Sequence, residues 1–152
     1  MSKITPFLWF DTQAEEAMNF YVSLFKNSKV HHISKAQDGQ VFSVSFELEG
    51  QMFHGLNAGP QFKFNEAVSF LVDCKDQEEV DYFWDTIMAD GGEESMCGWC
   101  KDKFGLWWQI IPKQLGEWMG DPNPVKAHNV TQAMLQMKKI IVADLQKAYE
   151  AS

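Results

Sequence analysis

The chain reads as an α+β fold of two strand–helix–three-strand modules followed by a helical tail, and three observations carry that reading. The first is a repeat. Leu8-Trp9-Phe10-Asp11 precedes Glu15-Glu16-Ala17-Met18-Asn19-Phe20-Tyr21, and later Phe70-Leu71-Val72-Asp73 precedes Glu78-Glu79-Val80-Asp81-Tyr82-Phe83-Trp84. Each copy is an apolar run ending in Asp, a Glu pair, and a helical pattern with aromatic neighbours. Two copies of that length mark a duplicated supersecondary unit, since a solenoid needs at least three. The second observation is the period-2 alternation of Val41-Phe42-Ser43-Val44-Ser45-Phe46-Glu47-Leu48, the mark of a sheet with one solvated or cavity-facing side. The third is the change to helical spacing after Pro112.

In order, Ile4 to Asp11 is the first strand and residues 13–25 the first helix, with Ala17, Phe20, Tyr21, Leu24 and Phe25 on its buried side. Asn27-Ser28 turns the chain into a strand from Val30 to Ala36, and Asp38-Gly39 is a hairpin signal. Strands follow over 41–48 and 51–57, before Ala58-Gly59-Pro60 breaks the pattern and closes a module of about 4–60. The second module, about 66–112, opens with the Val- and Phe-rich run Ala67 to Val72. Asp73 or Asp76 caps its helix, Glu78 and Glu79 suit the first turn, and Gly91-Gly92 ends it. Val80, Phe83, Trp84, Ile87 and Met88 form the apolar face of that helix. Glu93 to Cys100 is expected as one strand, 101–105 as a turn, and Leu106 to Ile111 as the last strand. In the tail, 113–152, Leu115, Trp118 and Met119 mark a short helix, which Asp121-Pro122-Asn123-Pro124 interrupts. Val130, Met134, Met137, Ile141, Leu145 and Ala148 then make a single helical stripe, to be packed on the domain itself or on a dimer partner.

At 152 residues the chain has the size of a single domain, able to bury roughly 70% of its unfolded surface. The 12 Phe and 6 Trp imply a bulky core or an aromatic-lined cavity. A net charge of −8 argues against nucleic acid and against anionic membranes. Met1 to Pro6 shows no signal-peptide pattern, and no apolar run approaches a membrane span. Three cysteines, an odd count, fit a reducing compartment, so a cytoplasmic protein is expected.

With these modules placed, the chain resembles the vicinal oxygen chelate superfamily of glyoxalase, bleomycin-resistance and dioxygenase relatives. Within it the chain is similar to PhnB-like proteins, 3-demethylubiquinone-9 3-methyltransferase-like. The motifs that carry the resemblance run from Ile4-Thr5-Pro6-Phe7-Leu8-Trp9-Phe10-Asp11 and Ala14–Tyr21 through Phe62-Lys63-Phe64-Asn65-Glu66-Ala67 to Gln77–Asp81 and Cys97-Gly98-Trp99 with Lys101–Gly105. It implies two βαβββ modules paired into a half-open mixed barrel, the glyoxalase fold, around a small-molecule cavity, commonly in a homodimer. In metal-dependent members the ligands come from the first and last strands of each module. Those positions fall here near Thr5 or Pro6, at His54, near Ala67 beside Glu66, and at Gln109. One imidazole and one neutral amide are too few for a divalent ion. No metal is therefore expected, with His54 and Glu66 kept as a degenerate pair.

The pocket residues expected on this basis are Trp9, His54, Cys97, Trp99, Trp107 and Gln109. His54 shares a strand face with Met52 and Leu56; Gln109 shares one with Trp107 and Ile111. Aromatic walls with a few polar groups describe a ligand pocket, and equally a filled core. Cys97-Gly98-Trp99-Cys100 has redox spacing but no helix N-terminus to lower a thiol pKa, so packed free thiols are the plainer reading. His31 and His32 fall on opposite sides of their strand, and His128 is given no role. Glu15-Glu16 and Glu78-Glu79 sit on solvated helix starts, where sequence neighbours do not face each other, which rejects them as acid–base pairs. The leading expectation is thus a small-molecule pocket without established catalysis. A divalent-metal lyase or dioxygenase comes next. A methyltransferase stands lower, for want of a Gly-rich strand-to-helix turn to cradle S-adenosylmethionine. A pure interaction protein, hinted at only by the tail stripe, comes last.

Overall fold

The computed structural model describes residues 2–151, and the chain divides into two compact units, Met1–Lys63 and Phe64–Ser152. In the first unit, Phe7–Phe10 (β1), Ala14–Leu24 (α1), Ser28–Lys35 (β2), Val41–Leu48 (β3) and Gln51–Asn57 (β4) follow one another. The strands form one open sheet in the order β1-β4-β3-β2, with β1 and β4 parallel and the other pairs antiparallel. β1 is shorter than the apolar run from Ile4 because Pro6 has no N–H to give a ladder; its carbonyl still accepts from His54 N at 2.9 Å. Asp38-Gly39 does turn the chain between β2 and β3, with Gly39 at φ 84° and its N–H donating to the Ala36 carbonyl.

Alternation then sorts the first sheet's faces. Leu8, Phe10, Val44, Phe46, Leu48 and Phe53 are buried on the side that meets Ala14, Ala17, Met18, Tyr21 and Leu24 of α1. Gly55 is needed on that side: a Cβ there would stand 3.2 Å from both the Phe10 ring and a Val44 methyl. A bulge in β2 between Val30 and His32 breaks the strict alternation that separates His31 from His32 in sequence.

The second unit has Ser69–Cys74 (β5), Gln77–Ala89 (α2), Glu93–Glu94 (β6), Trp99–Lys101 (β7) and Trp107–Pro112 (β8), then Lys113–Met119 (α3), Pro124–Met134 (α4) and Val142–Glu150 (α5). Its sheet runs β5-β8-β7-β6, with β5 and β8 parallel. β5 begins two residues later than its apolar run because the pairing of Ser69 with Trp107, not hydrophobicity, sets its start. Of the two candidate caps of α2, Asp76 is the one: its side chain accepts from Glu79 N at 3.0 Å, while Glu79 Oε1 accepts from Lys75 N at 2.9 Å. Phe70, Trp108, Ile110 and Cys100 face the helix side with Val80, Trp84 and Ile87 of α2.

Two expectations for this unit are corrected. Glu93 to Cys100 is not one strand but two short ones, because Cys97 and Gly98 both adopt left-handed backbone, at φ 61° and 83°. The tail stripe is not one helix either. Residues 135–141 leave the helical path, and the carbonyls of Met137 and Lys138 accept from Cys97 N and Gly98 N instead of helical partners. Ile140, rather than Ile141, is the buried residue of that segment; it packs with Leu115, Val130 and Leu145 in a cluster flanked by Ile111, Trp118, Met134 and Met137. The stripe is thereby covered within its own unit. Among the described residues no helix is long and apolar enough to cross a membrane.

Candidate functional site

Each sheet has one face against its own helix, and the sequence-predicted pocket residues lie on or beside the opposite one. In the first unit the helix-free face is laid out by register. Phe7 pairs with His54 and His54 with Ser45, while Trp9 pairs with Leu56 and Leu56 with Ser43. The Phe7 and His54 rings stand 5.4 Å apart and tilted. Trp9 is fixed at both ends: its Nε1 donates to the Gly59 carbonyl at 2.9 Å, and its ring meets Phe62 edge-on at 4.9 Å. His54 and Trp9 are half-buried, whereas Phe7 and Phe62 are exposed at 61% and 65%.

In the second unit the face turned away from α2 carries Leu71, Gln109 and Trp99 in one row and Ser69, Trp107 and Lys101 in the next, with Ile111 at its end packed against the tail cluster. Trp107, Gln109 and Trp99 are half-buried, and their strand neighbours Trp108 and Cys100 are buried on the helix side. Gln109 is oriented by Ser69, donating from Nε2 to Oγ at 3.0 Å. Its carbonyl oxygen is the side that remains to accept from a ligand. Ser69 escapes a sequence reading because nothing local announces its partner, which lies forty positions away.

Cys97 occupies the turn before β7 rather than a strand face. Its partner in the Cys-x-x-Cys spacing, Cys100, is fully buried, and burial together with the Asp102 charge pushes its thiol up to about 12. Cys74 is likewise pushed up to about 12, by burial and then by Glu79 and Asp73. The three cysteines are free thiols. A redox pair needs a stabilised thiolate, and the environment of Cys100 does the opposite.

The turn after β7 holds a residue that the sequence reading passed over. Asp102 is 2% exposed, yet its carboxylate accepts from Phe104 N at 2.9 Å, Leu106 N at 3.0 Å and Trp108 Nε1 at 2.9 Å. Asp three residues before Gly105 signals a turn; that its second oxygen reaches a tryptophan two residues into β8 is a tertiary fact. It makes Asp102 a scaffold residue that locks Trp108 inward and so leaves Trp107 and Gln109 outward.

Among the described residues no three His, Cys, Asp or Glu side chains stand together as a metal ion requires. Glu66 is exposed on the turn before β5, His54 packs on Phe7, and the Gln109 amide is engaged with Ser69. An open cavity of about 470 Å³ does occur in the first unit, bordered by Thr12, Glu15, Glu16, Asp38, Gln40 and Asn57. None of the sequence-predicted pocket residues lines it. Its Asn57 amide is already used, accepting from Ala14 N at 2.8 Å and donating to the Val41 carbonyl at 3.1 Å.

Residues 2–111 match the family model described as 3-demethylubiquinone-9 3-methyltransferase. The chain belongs to the 3-demethylubiquinone-9 3-methyltransferase-like (PhnB) family. A PhnB protein from Bacillus cereus is 36% identical, with a TM-score of 0.68 over 73% of this chain and 99% of its own. A protein from Pseudomonas aeruginosa, 15% identical, superposes with a TM-score of 0.62 over 74% of this chain and 98% of its own. A glyoxalase/bleomycin resistance protein from Albidiferax ferrireducens, 14% identical, gives 0.51 over 74% and 99%. These two share the fold, and together with the family match they bear out the glyoxalase-type α+β architecture. No curated protein matches the chain. The PhnB match ends at residue 111, so helices α3 to α5 lie beyond it.

Proposed function

We propose that this PhnB-family protein binds a small organic molecule on an aromatic sheet face turned away from the helix that follows the unit's first strand. On the first unit's face the candidate contacts are Trp9 and His54; on the second unit's face, taken by itself, they are Trp99, Trp107 and Gln109. The observation that supports this reading is the contrast along β8: Trp108 and Ile110 are buried, whereas Trp107 and Gln109 between and beside them keep accessible surface. Aromatic rings give contact area at low entropic cost, and an amide held on one side by Ser69 gives orientation. Cys97 belongs to the rim of this surface. In this reading the protein is a cytoplasmic homodimer, a state supported by the family resemblance and by its free thiols, and tested by light scattering in solution.

The experiment is a thermal-shift screen of small aromatic and polar organic molecules, followed by titration of each hit. A genuine ligand should lose at least about tenfold in affinity in Trp107→Ala and in His54→Ala or Gln109→Ala, while the exposed-helix control Glu78→Gln stays unchanged. Hits that survive all three substitutions would remove the aromatic faces from the proposal.

The methyltransferase activity in the family's description is a second reading. Neither strand-to-helix connection, Asp11 to Gln13 or Lys75 to Asp76, contains glycine, which weighs against a nucleotide-type cradle. Saturable titration with S-adenosylmethionine would restore that reading. A metal-dependent lyase or dioxygenase would require about one ion held per chain after exposure to zinc, nickel, manganese and iron and then desalting, measured by mass spectrometry.

A further inference from the structure

The tail beyond the family match is not a passive appendage. Its non-helical segment, residues 135–141, runs against the turn that leads into β7, and three sets of contacts converge there. Cys97 N donates to the Met137 carbonyl at 2.7 Å and Gly98 N to the Lys138 carbonyl at 2.8 Å. The segment is itself tied to α2. Gln77 donates from Nε2 to the Ile140 carbonyl at 3.0 Å and accepts at Oε1 from Val142 N at 2.6 Å, bracketing Ile141. Lys139 Nζ lies 3.0 Å from Asp81 and 2.9 Å from Asp85. Finally, Ile140 is fully buried beside Gly98, where a Cβ would stand 3.1 Å from its side chain and 2.8 Å from that of Ile111.

The turn needs such support. Cys97 carries a side chain in the left-handed region, which L-residues avoid, and Gly98 follows it in the same region. The turn closes on itself through Trp99 N and the Met96 carbonyl at 3.0 Å, and on its other side Ile110 N donates to the Gly98 carbonyl at 2.8 Å. We propose that residues 135–141 form a strap, anchored on α2 by Gln77 and Lys139, that holds the Cys97-Gly98 turn left-handed and thereby fixes Trp99 in its row with Gln109. The strap is a conformational control on the second unit's aromatic face, and it operates whether or not that face binds the proposed ligand. Tail release, by proteolysis or by a partner that competes for the segment, would loosen that face.

The full-length double variant Gln77→Ala/Lys139→Ala tests this without removing the tail core. The readouts are amide hydrogen exchange along the chain and the alkylation rate of each cysteine by mass spectrometry. Cys74 and Cys100, both buried, serve as internal references. Exchange at Cys97–Trp99 and alkylation of Cys97 should rise about fivefold or more, while the reference thiols and α2 stay unchanged. Adding Cys97→Gly, which relieves the left-handed strain, should shrink the rise in exchange at 97–99. Unchanged exchange at the turn despite faster exchange over 135–141 would overturn the proposal. Simultaneous opening of all three cysteines would overturn it too, because the anchors would then hold the whole unit rather than the turn.

Discussion

The two units start from the same plan and stabilise it differently. The first holds its sheet with ladders: β2, β3 and β4 run eight, eight and seven residues. The second has middle strands of two and three residues. What its ladders lack, side chains and the tail supply. Asp102 organises the β7–β8 turn, Gln77, Asp81 and Asp85 of α2 hold the strap, and α3 to α5 bury their cluster beside β8. A duplicated unit can therefore keep its topology while exchanging distributed backbone bonding for a few concentrated side-chain contacts. Concentration makes the second unit the more vulnerable to single substitutions.

The largest test of that contrast is Asp102→Ala. It leaves two backbone N–H groups and an indole N–H without their acceptor in a buried site, and should cost about 3–5 kcal/mol in urea denaturation. Asp102→Asn, whose single oxygen can serve only part of the set, should fall between. The first unit's nearest counterpart is Asn57, whose amide joins the start of α1 to β3. Asn57→Ala should cost about 1–2 kcal/mol, and a loss equal to that of Asp102→Ala would erase the difference between the units. Smaller again is the α2 cap: Asp76→Ala removes one acceptor from the first turn and should cost about 1 kcal/mol.

The smallest effect is a pH dependence in the second unit's tail and in the part of α2 that anchors it. The hydrogen bonds from Gln77 and Lys139 hold Asp81 below the ordinary carboxylate value of 3.8. The Tyr149 hydroxyl does the same for Asp121, donating to Oδ2 at 2.6 Å, and is itself held above 10.0 by that bond. Burial works against the Lys139 charge, but hydrogen bonds to Asp85 and Asp81 overcome it and raise its pKa above 10.5. A lowered carboxylate pKa gives stability that is present above 3.8 and lost as pH falls through the folded value. A raised tyrosine pKa gives stability that is present below 10.0 and lost as pH rises through the folded value. The raised Lys139 value follows the same alkaline direction. Near-ultraviolet circular dichroism should therefore show the tail loosening at both extremes. Tyr149→Phe should weaken both limbs, because it removes the hydroxyl that titrates and that bonds Asp121 while leaving the ring stacked on Trp118 at 5.4 Å as the reporter; unchanged limbs would remove Asp121 and Tyr149 from the account.

Sequence periodicity is local, and what it determined here is local. The repeated strand–helix start, the alternation of 41–48, the Asp38-Gly39 turn, the two exact strands 41–48 and 51–57, and the placing of Trp107 and Gln109 on one face all follow from spacings within one element. The family was legible for the same reason, since its motifs are contiguous runs.

Tertiary structure decided what depends on partners far along the chain. Whether Asp73 or Asp76 capped α2, whether Glu93 to Cys100 stayed one strand, and whether the tail stripe stayed one helix could not be settled by spacing. Spacing identifies which face a side chain takes, but it does not say which distant carbonyl will satisfy a backbone N–H. The Met137 and Lys138 carbonyls meet the N–H groups of Cys97 and Gly98 only in the folded unit. Likewise Asp102 reads in sequence as an exposed turn residue, and only the approach of Leu106 and Trp108 turns its charge inward, where three N–H donors make burial tolerable.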